Sequence, residues 1–506
     1  MPTRSLLKGS FGFEPARVLL AAVATLLGAA GTSLAAADAA PRPNILLVLA
    51  DNWAWPDARV CGNPLVKTPA FDRLAGEGVL FRNAFCHAPS CAPARAALLT
   101  GRPIHQLEDG ANLWGHLPAR FQVYPDLLEA AGYVVGYAGK GWSPGRIEEA
   151  GRTRNPAGPQ FESFARFLSE LPADRPFCLW YGDLHPSRQK MVWGSGVAAG
   201  MRPEQVVVPP YLPDTAEVRS NILDYYLAVE KFDQAVNEIL GQLAASGRAG
   251  NTLLVVAGDN GWQMPRGLAN LYDSGTRVPM VVRWPLVIRG GRVSDEFADF
   301  LDLAPTFLEA AGVPKPAEML GRSLLGLLRG DTVPGREQVF LERERHANVR
   351  RGDLGYPARG VRTREFLYIR NDHPERWPAG DPEFYHAVGP FGDVDQSPTK
   401  DLILARREDP AIAPYFALSF GKRPAEELYD LAQDPQQVQN VAARPEYAAA
   451  KARLRARLDE WLQATGDPRA AQSDPDRFDR FPYYAPAWKP GRGERPSVKP
   501  GSSGAP

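Results

Sequence analysis

Apolar residues along this chain fall either into short unbroken runs or into stripes of helical spacing. Asn44-Ile-Leu-Leu-Val-Leu-Ala50, Tyr133–Ala138, Pro176–Gly182 and Thr252–Ala257 are runs with few polar breaks, the pattern of strands covered on both faces. Phe71–Gly78 and Tyr124–Gly132 read as short helices, the second stopped by its glycine. Ile222, Tyr226, Val229, Phe232, Val236 and Ile239 step by three or four, which predicts a long helix between Asn221 and Gln242. Such alternation predicts an α/β fold whose large, mostly parallel central sheet is sandwiched by helices. Ligands of these sheets bind at the carboxyl ends of the strands. That rule puts Asp51-Asn52 and Asp259-Asn260 on one rim.

Past Gly321-Arg-Ser-Leu-Leu325 the texture changes. Gln338–Leu341, Gly360–Thr363 and Phe366–Arg370 read as short strands, and Pro445–Gly466 as a helix. The expected division is a catalytic α/β domain over 41–335, a smaller α+β domain over 336–466 and a Pro/Gly-rich, wrapping or disordered tail over 467–506. Residues 1–40 set Arg4 and Lys8 before the apolar run Val18–Gly28 and the small-residue stretch Ser33–Ala40. That order predicts a cleaved export signal and a periplasmic or extracellular protein that leaves no membrane anchor after cleavage.

Composition narrows the classes of function. Lys+Arg and Asp+Glu balance at 58 each, so no global field recruits nucleic acid or anionic lipid. The four cysteines, Cys61, Cys86, Cys91 and Cys178, are too few for a disulfide scaffold and have no zinc spacing. Cys61, Cys86 and Cys178 read as buried structural thiols.

Cys91 stands apart. In Ser90-Cys-Ala-Pro-Ala-Arg-Ala-Ala-Leu-Leu-Thr-Gly101 the proline suits a first helical turn and the glycine a C-terminal cap. The cysteine then sits at a helix N-terminus, where an anion is favoured and a thiol alone would be a low-pKa nucleophile. The two Asp-Asn pairs at the sheet rim offer hard oxygen donors, which suit Ca²⁺ or Mg²⁺ better than zinc.

Cys91, Pro93, Arg95, Thr100 and Gly101 together resemble the signature of the sulfatase family. Pro43–Asp51, Val256–Gly261, Leu271–Pro279, Leu303–Phe307 and Glu427–Pro435 are similar to further blocks of that family. Val206–Thr215, the Asn270-Leu-Tyr block and Arg345–Arg350 are closest to its sulfamidase (N-sulfoglucosamine sulfohydrolase)-like branch. The resemblance implies an alkaline-phosphatase-like fold and hydrolysis of a sulfate ester or sulfamate on a sulfated carbohydrate. It implies that Cys91 is converted to formylglycine by a formylglycine-generating or anaerobic maturation enzyme. It also implies one divalent cation, Ca²⁺ ahead of Mg²⁺, held by Asp51, Asn52, Asp259, Asn260 and the modified Cys91. Arg95 and Lys140 would contact the nucleophile and the sulfate, and His185 would be the candidate acid. Arg345, His346 and Arg350 could face the sugar.

Four positions depart from the family pattern. Asn52 stands where an aspartate is usual, Trp142 where a histidine follows the lysine, and Leu184 where a leaving-group histidine is expected. Leu268 replaces a lysine or arginine, with Arg266 two residues earlier. A secreted, catalytically impaired homologue that binds sulfated glycans, and a phosphoester hydrolase on the same scaffold, are therefore the alternative expectations.

Overall fold

A computed structural model of the chain describes residues 42–383 and 389–484. The expected export signal and the end of the tail lie outside the described residues. Among the described residues no helix is long and apolar enough to cross a membrane.

Eight strands form the central sheet: β1 (Asn44–Ala50), β2 (Val79–Phe85), β3 (Val134–Gly139), β4 (Gln160–Phe161), β5 (Phe177–Gly182), β6 (Thr252–Gly258), β7 (Met280–Arg283) and β8 (Arg292–Asp299). Their order is β4-β3-β5-β1-β6-β7-β2-β8. Every pairing is parallel except those of β7, which runs antiparallel to β6 and β2. The predicted mostly parallel sheet is therefore present. The β1 run is buried at all seven positions because both faces are covered. Ile45, Leu47 and Leu49 pack into one core layer with Leu98 and Phe307. Leu46, Val48 and Ala50 pack into the other with Ile222 and Val229, as the two-residue strand period requires.

Helix α1 spans Cys91–Thr100 and helix α2 spans Ala216–Ala245. The apolar stripe located α2 but not its ends. Its first turn is fixed by Thr215, whose side chain accepts from the Val218 amide, an N-cap that precedes the stripe. Strands β2, β4, β7 and β8 are the part of the sheet that no apolar run announced: Arg82 and Asn83 interrupt β2, β4 and β7 are only two and four residues long, and β8 alternates polar residues at its start.

A second, antiparallel sheet has the order β12-β11-β10-β9, with β9 (Gln338–Arg343), β10 (Ala358–Thr363), β11 (Phe366–Asn371) and β12 (Glu426–Asp430). Helix α3 (Ala448–Thr465) lays Leu454, Leu458 and Leu462 against Val361, Tyr368 and Leu428 of this sheet. The tail after Gly466 wraps back: Asp467 and Phe478 are fully buried, and Arg359 donates to Asp467 at 2.8 Å. His87, just past β2, joins the two sheets by contacting Asp299 at 3.0 Å and Glu342 at 3.2 Å.

Candidate active site

Four adjacent parallel strands, β3, β5, β1 and β6, end at one level. Gly139 pairs with Gly182, Leu49 with Gly182, and Ala50 with Gly258. The residues that follow are Lys140, Asp183, Asp51 and Asp259, so all four emerge on the carboxyl rim. The approach is so close at Gly182 that a Cβ there would lie 1.9 Å from the Lys140 carbonyl oxygen; only glycine fits.

Helix α1 points its first residue at this rim. Cys91 Sγ lies 3.3 Å from Asp51 Oδ1 and 3.9 Å from Asn52 Oδ1. Ligand atoms of Asp51, Cys91 and Asp259 all fall within 4.8 Å of one another. The thiol is not the activated nucleophile that its helix position alone suggests. Burial and then the Asp51 carboxylate hold its pKa well above the usual value, against the pull of Lys140 and Arg95.

Asn52 has a φ of 72°, a left-handed conformation that asparagine tolerates. Its backbone N–H donates to Asp259 Oδ1 at 2.9 Å, and its Oδ1 accepts from Asn260 Nδ2 at 2.7 Å. Asn260 Oδ1 is buried with no hydrogen-bond partner. An orphaned amide oxygen beside two carboxylates and a second amide fits a hard divalent cation. The donor set holds no histidine, which argues against the usual zinc chemistry.

Two cations lie against these oxygens. Arg95 is fully buried and pairs with Asp259, Nε at 3.0 Å and Nη2 at 2.9 Å from Oδ2. Its Nη1 donates to the carbonyls of Lys140 and Gly141 at 2.8 and 2.7 Å, which ties α1 to the loop after β3. Its Nη2 also lies 3.8 Å from Asp51. Lys140 Nζ is 2.5 Å from Asp51 Oδ1. Burial alone would raise Asp51, but Lys140 and Arg95 prevail and its pKa is lowered; Asp259 is raised because burial outweighs Arg95.

His185 lies in the loop after β5, three residues past the strand's end. Its carbonyl accepts from the Asp51 amide at 3.0 Å, and its Nδ1 lies 2.8 Å from Asp183 Oδ1. With Nδ1–H donated to Asp183, Nε2 is the nitrogen left to exchange a proton. Asp183 as the orienting partner was not recognised from sequence, although it stands two residues before His185.

The four departures acquire structural meanings. Trp142 is 1% exposed and its indole N–H donates to the Ala92 carbonyl at 3.1 Å. Leu268 is buried. Arg266 does not replace the missing cation: its Nη1 donates to the Leu418 carbonyl at 2.9 Å and its guanidinium lies 3.8 Å over the Tyr272 ring. Leu184 is half-buried.

The three residues expected to face the sugar have different partners. Arg345 donates to the carbonyls of Phe481 and Pro482 at 2.8 and 2.9 Å. Arg350 donates to the Trp377 carbonyl at 2.8 Å and to Asp393 at 2.7 Å. Both are buried, and both anchor backbone. His346 is different, because its Nδ1 lies 2.8 Å from the hydroxyl of Ser90, the residue before Cys91. Burial pushes its pKa down to about 4, with Asp393 opposing and Arg343 and Arg350 assisting. The imidazole is therefore neutral at ordinary pH. Cys61, Cys86 and Cys178 are free and buried, as expected.

Comparison with known proteins bears on this arrangement. The sulfatase family model matches residues 43–192 and 142–313, and the N-sulphoglucosamine sulphohydrolase C-terminal model matches 258–380. Human N-sulphoglucosamine sulphohydrolase is 30% identical over 483 residues, covering 85% of this chain and 91% of its own length. An ulvan-active sulfatase of Formosa agariphila is 29% identical, covering 84% and 81%. A solved structure of a protein bound to its substrate D-glucosamine-2-N,6-O-disulfate superposes with a TM-score of 0.61 at 19% identity, covering 86% of this chain and 99% of its own. A phosphonate monoester hydrolase of Silicibacter pomeroyi gives the same TM-score at 16% identity, covering 84% and 96%. At such identities these two likenesses speak for the fold.

Proposed function

The chain belongs to the sulfatase family and is a sulfatase resembling N-sulfoglucosamine sulfohydrolase, and from that premise we propose that it removes sulfate, as ester or sulfamate, from a sulfated carbohydrate through formylglycine derived from Cys91. The observation that carries this reading is the placement of Cys91 as the first residue of α1, with its Sγ 3.3 Å from Asp51 and 3.9 Å from Asn52. The aldehyde of formylglycine, as its hydrate, would supply the nucleophilic oxygen there.

Asp51, Asn52, Asp259 and Asn260 would hold a divalent cation, Ca²⁺ ahead of Mg²⁺, whose charge would offset that of the sulfate and favour ionisation of a neighbouring hydroxyl. Lys140 and Arg95 bring two positive charges to a largely buried rim, where charge developing on sulfate oxygens is stabilised more strongly than in water. His185, oriented by Asp183, would protonate the departing sugar oxygen or nitrogen. An N-terminal export signal over residues 1–40 and a domain boundary near residue 335 belong to the same proposal. So do a periplasmic or extracellular location and a formylglycine-generating or anaerobic maturation partner.

Trp142, Leu268 and the inward-turned Arg266 favour a second reading, a catalytically impaired homologue that binds sulfated glycans. The phosphoester alternative has no residue here that demands it. Mass spectrometry of the Cys91 peptide from protein exported by its own host, paired with sulfate release from N- and O-sulfated glucosamine oligosaccharides, separates them. Aldehyde with sulfate release supports the sulfatase reading. An unmodified thiol, in a host that converts another sulfatase, moves the assignment to the binding protein. Preferential turnover of phosphoesters moves it to the third reading.

A further inference from the structure

Between the second sheet and the segment 270–272 lies a small cavity of about 20 Å³, lined among others by Tyr272, Arg343, Tyr356, Asn371, Arg423 and the carboxylate-bearing Glu427. One water-sized particle needs about 10–15 Å³ of such space, so the cavity takes a single particle and excludes sulfate or a carboxylate.

Three polar groups of its wall are buried and unpartnered: Arg343 Nε, Arg423 Nη2 and Tyr356 Oη. The two guanidinium atoms are obligate donors and the phenol is able to donate. Arg343, Tyr356 and Arg423 are 4%, 2% and 9% exposed, and leaving such donors unmet is costly.

Charge points the same way. Arg343 and Arg350 share one carboxylate, Asp393, at 2.8 and 2.7 Å. Arg423 has Glu427 at 3.9 Å and donates to the Tyr272 hydroxyl. The oxygens of Glu427 are taken up by Asn371 at 2.8 Å, Tyr272 at 2.6 Å and Tyr429 at 2.5 Å. Arg266 stacks on Tyr272 at 3.8 Å and is held by backbone carbonyls. Two guanidiniums, Arg343 and Arg423, and one carboxylate, Glu427, thus line the cavity, with Arg266, Arg350 and Asp393 behind them. Burial pushes Arg343 down to about 10 even with Asp393 beside it, whereas for Arg423 burial is overcome by Tyr272 and Glu427, which raise it. Water in the cavity would meet the donors but leave the excess charge, whereas an anion meets both needs.

We propose that this cavity binds one monatomic anion, chloride under ordinary conditions, held by Arg343 Nε, Arg423 Nη2 and the Tyr356 hydroxyl. The ion would tie the end of β9, through Arg343, to the segments that lead into β10 and β12, through Tyr356 and Arg423. The site is independent of the catalytic reading, which survives if the anion is absent.

The full-length protein is dialysed into sodium gluconate and titrated with sodium chloride or bromide at constant ionic strength, with the thermal unfolding midpoint as readout. A saturable rise with either halide is expected, and Tyr356→Phe should raise the half-saturating concentration about tenfold. Crystals grown in sodium bromide should show an anomalous peak among the three donors. A midpoint indifferent to halide together with no anomalous peak overturns the proposal, as does a halide response that Tyr356→Phe leaves unchanged.

Discussion

The indole N–H of Trp142 donates to the carbonyl of Ala92 at 3.1 Å, joining the loop that carries Lys140 to the helix that carries Cys91. The residue that displaces a family histidine is thus a strut between two parts of the site. Trp142→Phe keeps most of the apolar volume but leaves the Ala92 carbonyl without that donor. The expected cost is about 1–3 kcal/mol, read as a lower urea midpoint at unchanged slope. An unaltered midpoint would show that the hydrogen bond contributes nothing.

Lys140 is the cation that lies closest to Asp51, at 2.5 Å with its side chain 10% exposed. Lys140→Ala should lower kcat for sulfate release by about 10²–10³-fold while the chain stays folded. If kcat stays within a few-fold of the parent and KM alone rises, the lysine acts in binding and not in the transition state.

Asn260 presents a buried amide oxygen with no partner. Calcium should raise the thermal midpoint of the protein in a concentration-dependent way, since a ligand of the folded state stabilises it. Asn260→Ala should flatten that dependence, and removal of divalent cations by a chelator should reduce sulfate release. A calcium response equal in Asn260→Ala and the parent would remove Asn260 from the ligand set.

His87 is fully buried between Asp299 and Glu342. Burial pulls its pKa down, but the two carboxylates win and raise it to about 10 from an ordinary 6.5. A folded-state pKa above the unfolded one means that the protonated form favours folding. The stabilisation is complete below about pH 6.5 and is lost as pH rises towards 10. Thermal midpoints of the parent should therefore fall through that alkaline window. In His87→Gln the midpoint should start lower and decline less over the same range; parallel declines would place the titrating group elsewhere.

Much of this was legible in the chain, and the limits have physical causes. The runs 44–50, 177–182 and 252–258 are apolar because β1, β5 and β6 are covered on both faces. Their pattern therefore disclosed the parallel sheet and, through it, the rim that gathers Asp51 and Asp259. The Cys91 segment disclosed its helix because proline at the start and glycine at the end are local backbone requirements. Strands β2, β4, β7 and β8 were not legible, since polar residues break β2 and β8 while β4 and β7 are too short to make a run.

Side-chain destinations are another matter, because an arginine's partner depends on what the fold brings near it. Arg345 and Arg350 read as sugar contacts in the sequence, yet carbonyls 27 to 137 residues away and Asp393 engage them. The low-pKa expectation for Cys91 reversed for a similar reason. A helix N-terminus acts over one turn, whereas burial and the Asp51 carboxylate, 40 residues away in sequence, act only once the chain has folded. The sequence by itself determined the fully covered strands, the long helix, the sheet rim and the residue types of the nucleophile and cation site, all set by periodicity and short-range backbone chemistry. Only the tertiary structure decided which charges meet and which thiol stays protonated, because Coulomb interactions and desolvation depend on distance and burial in space.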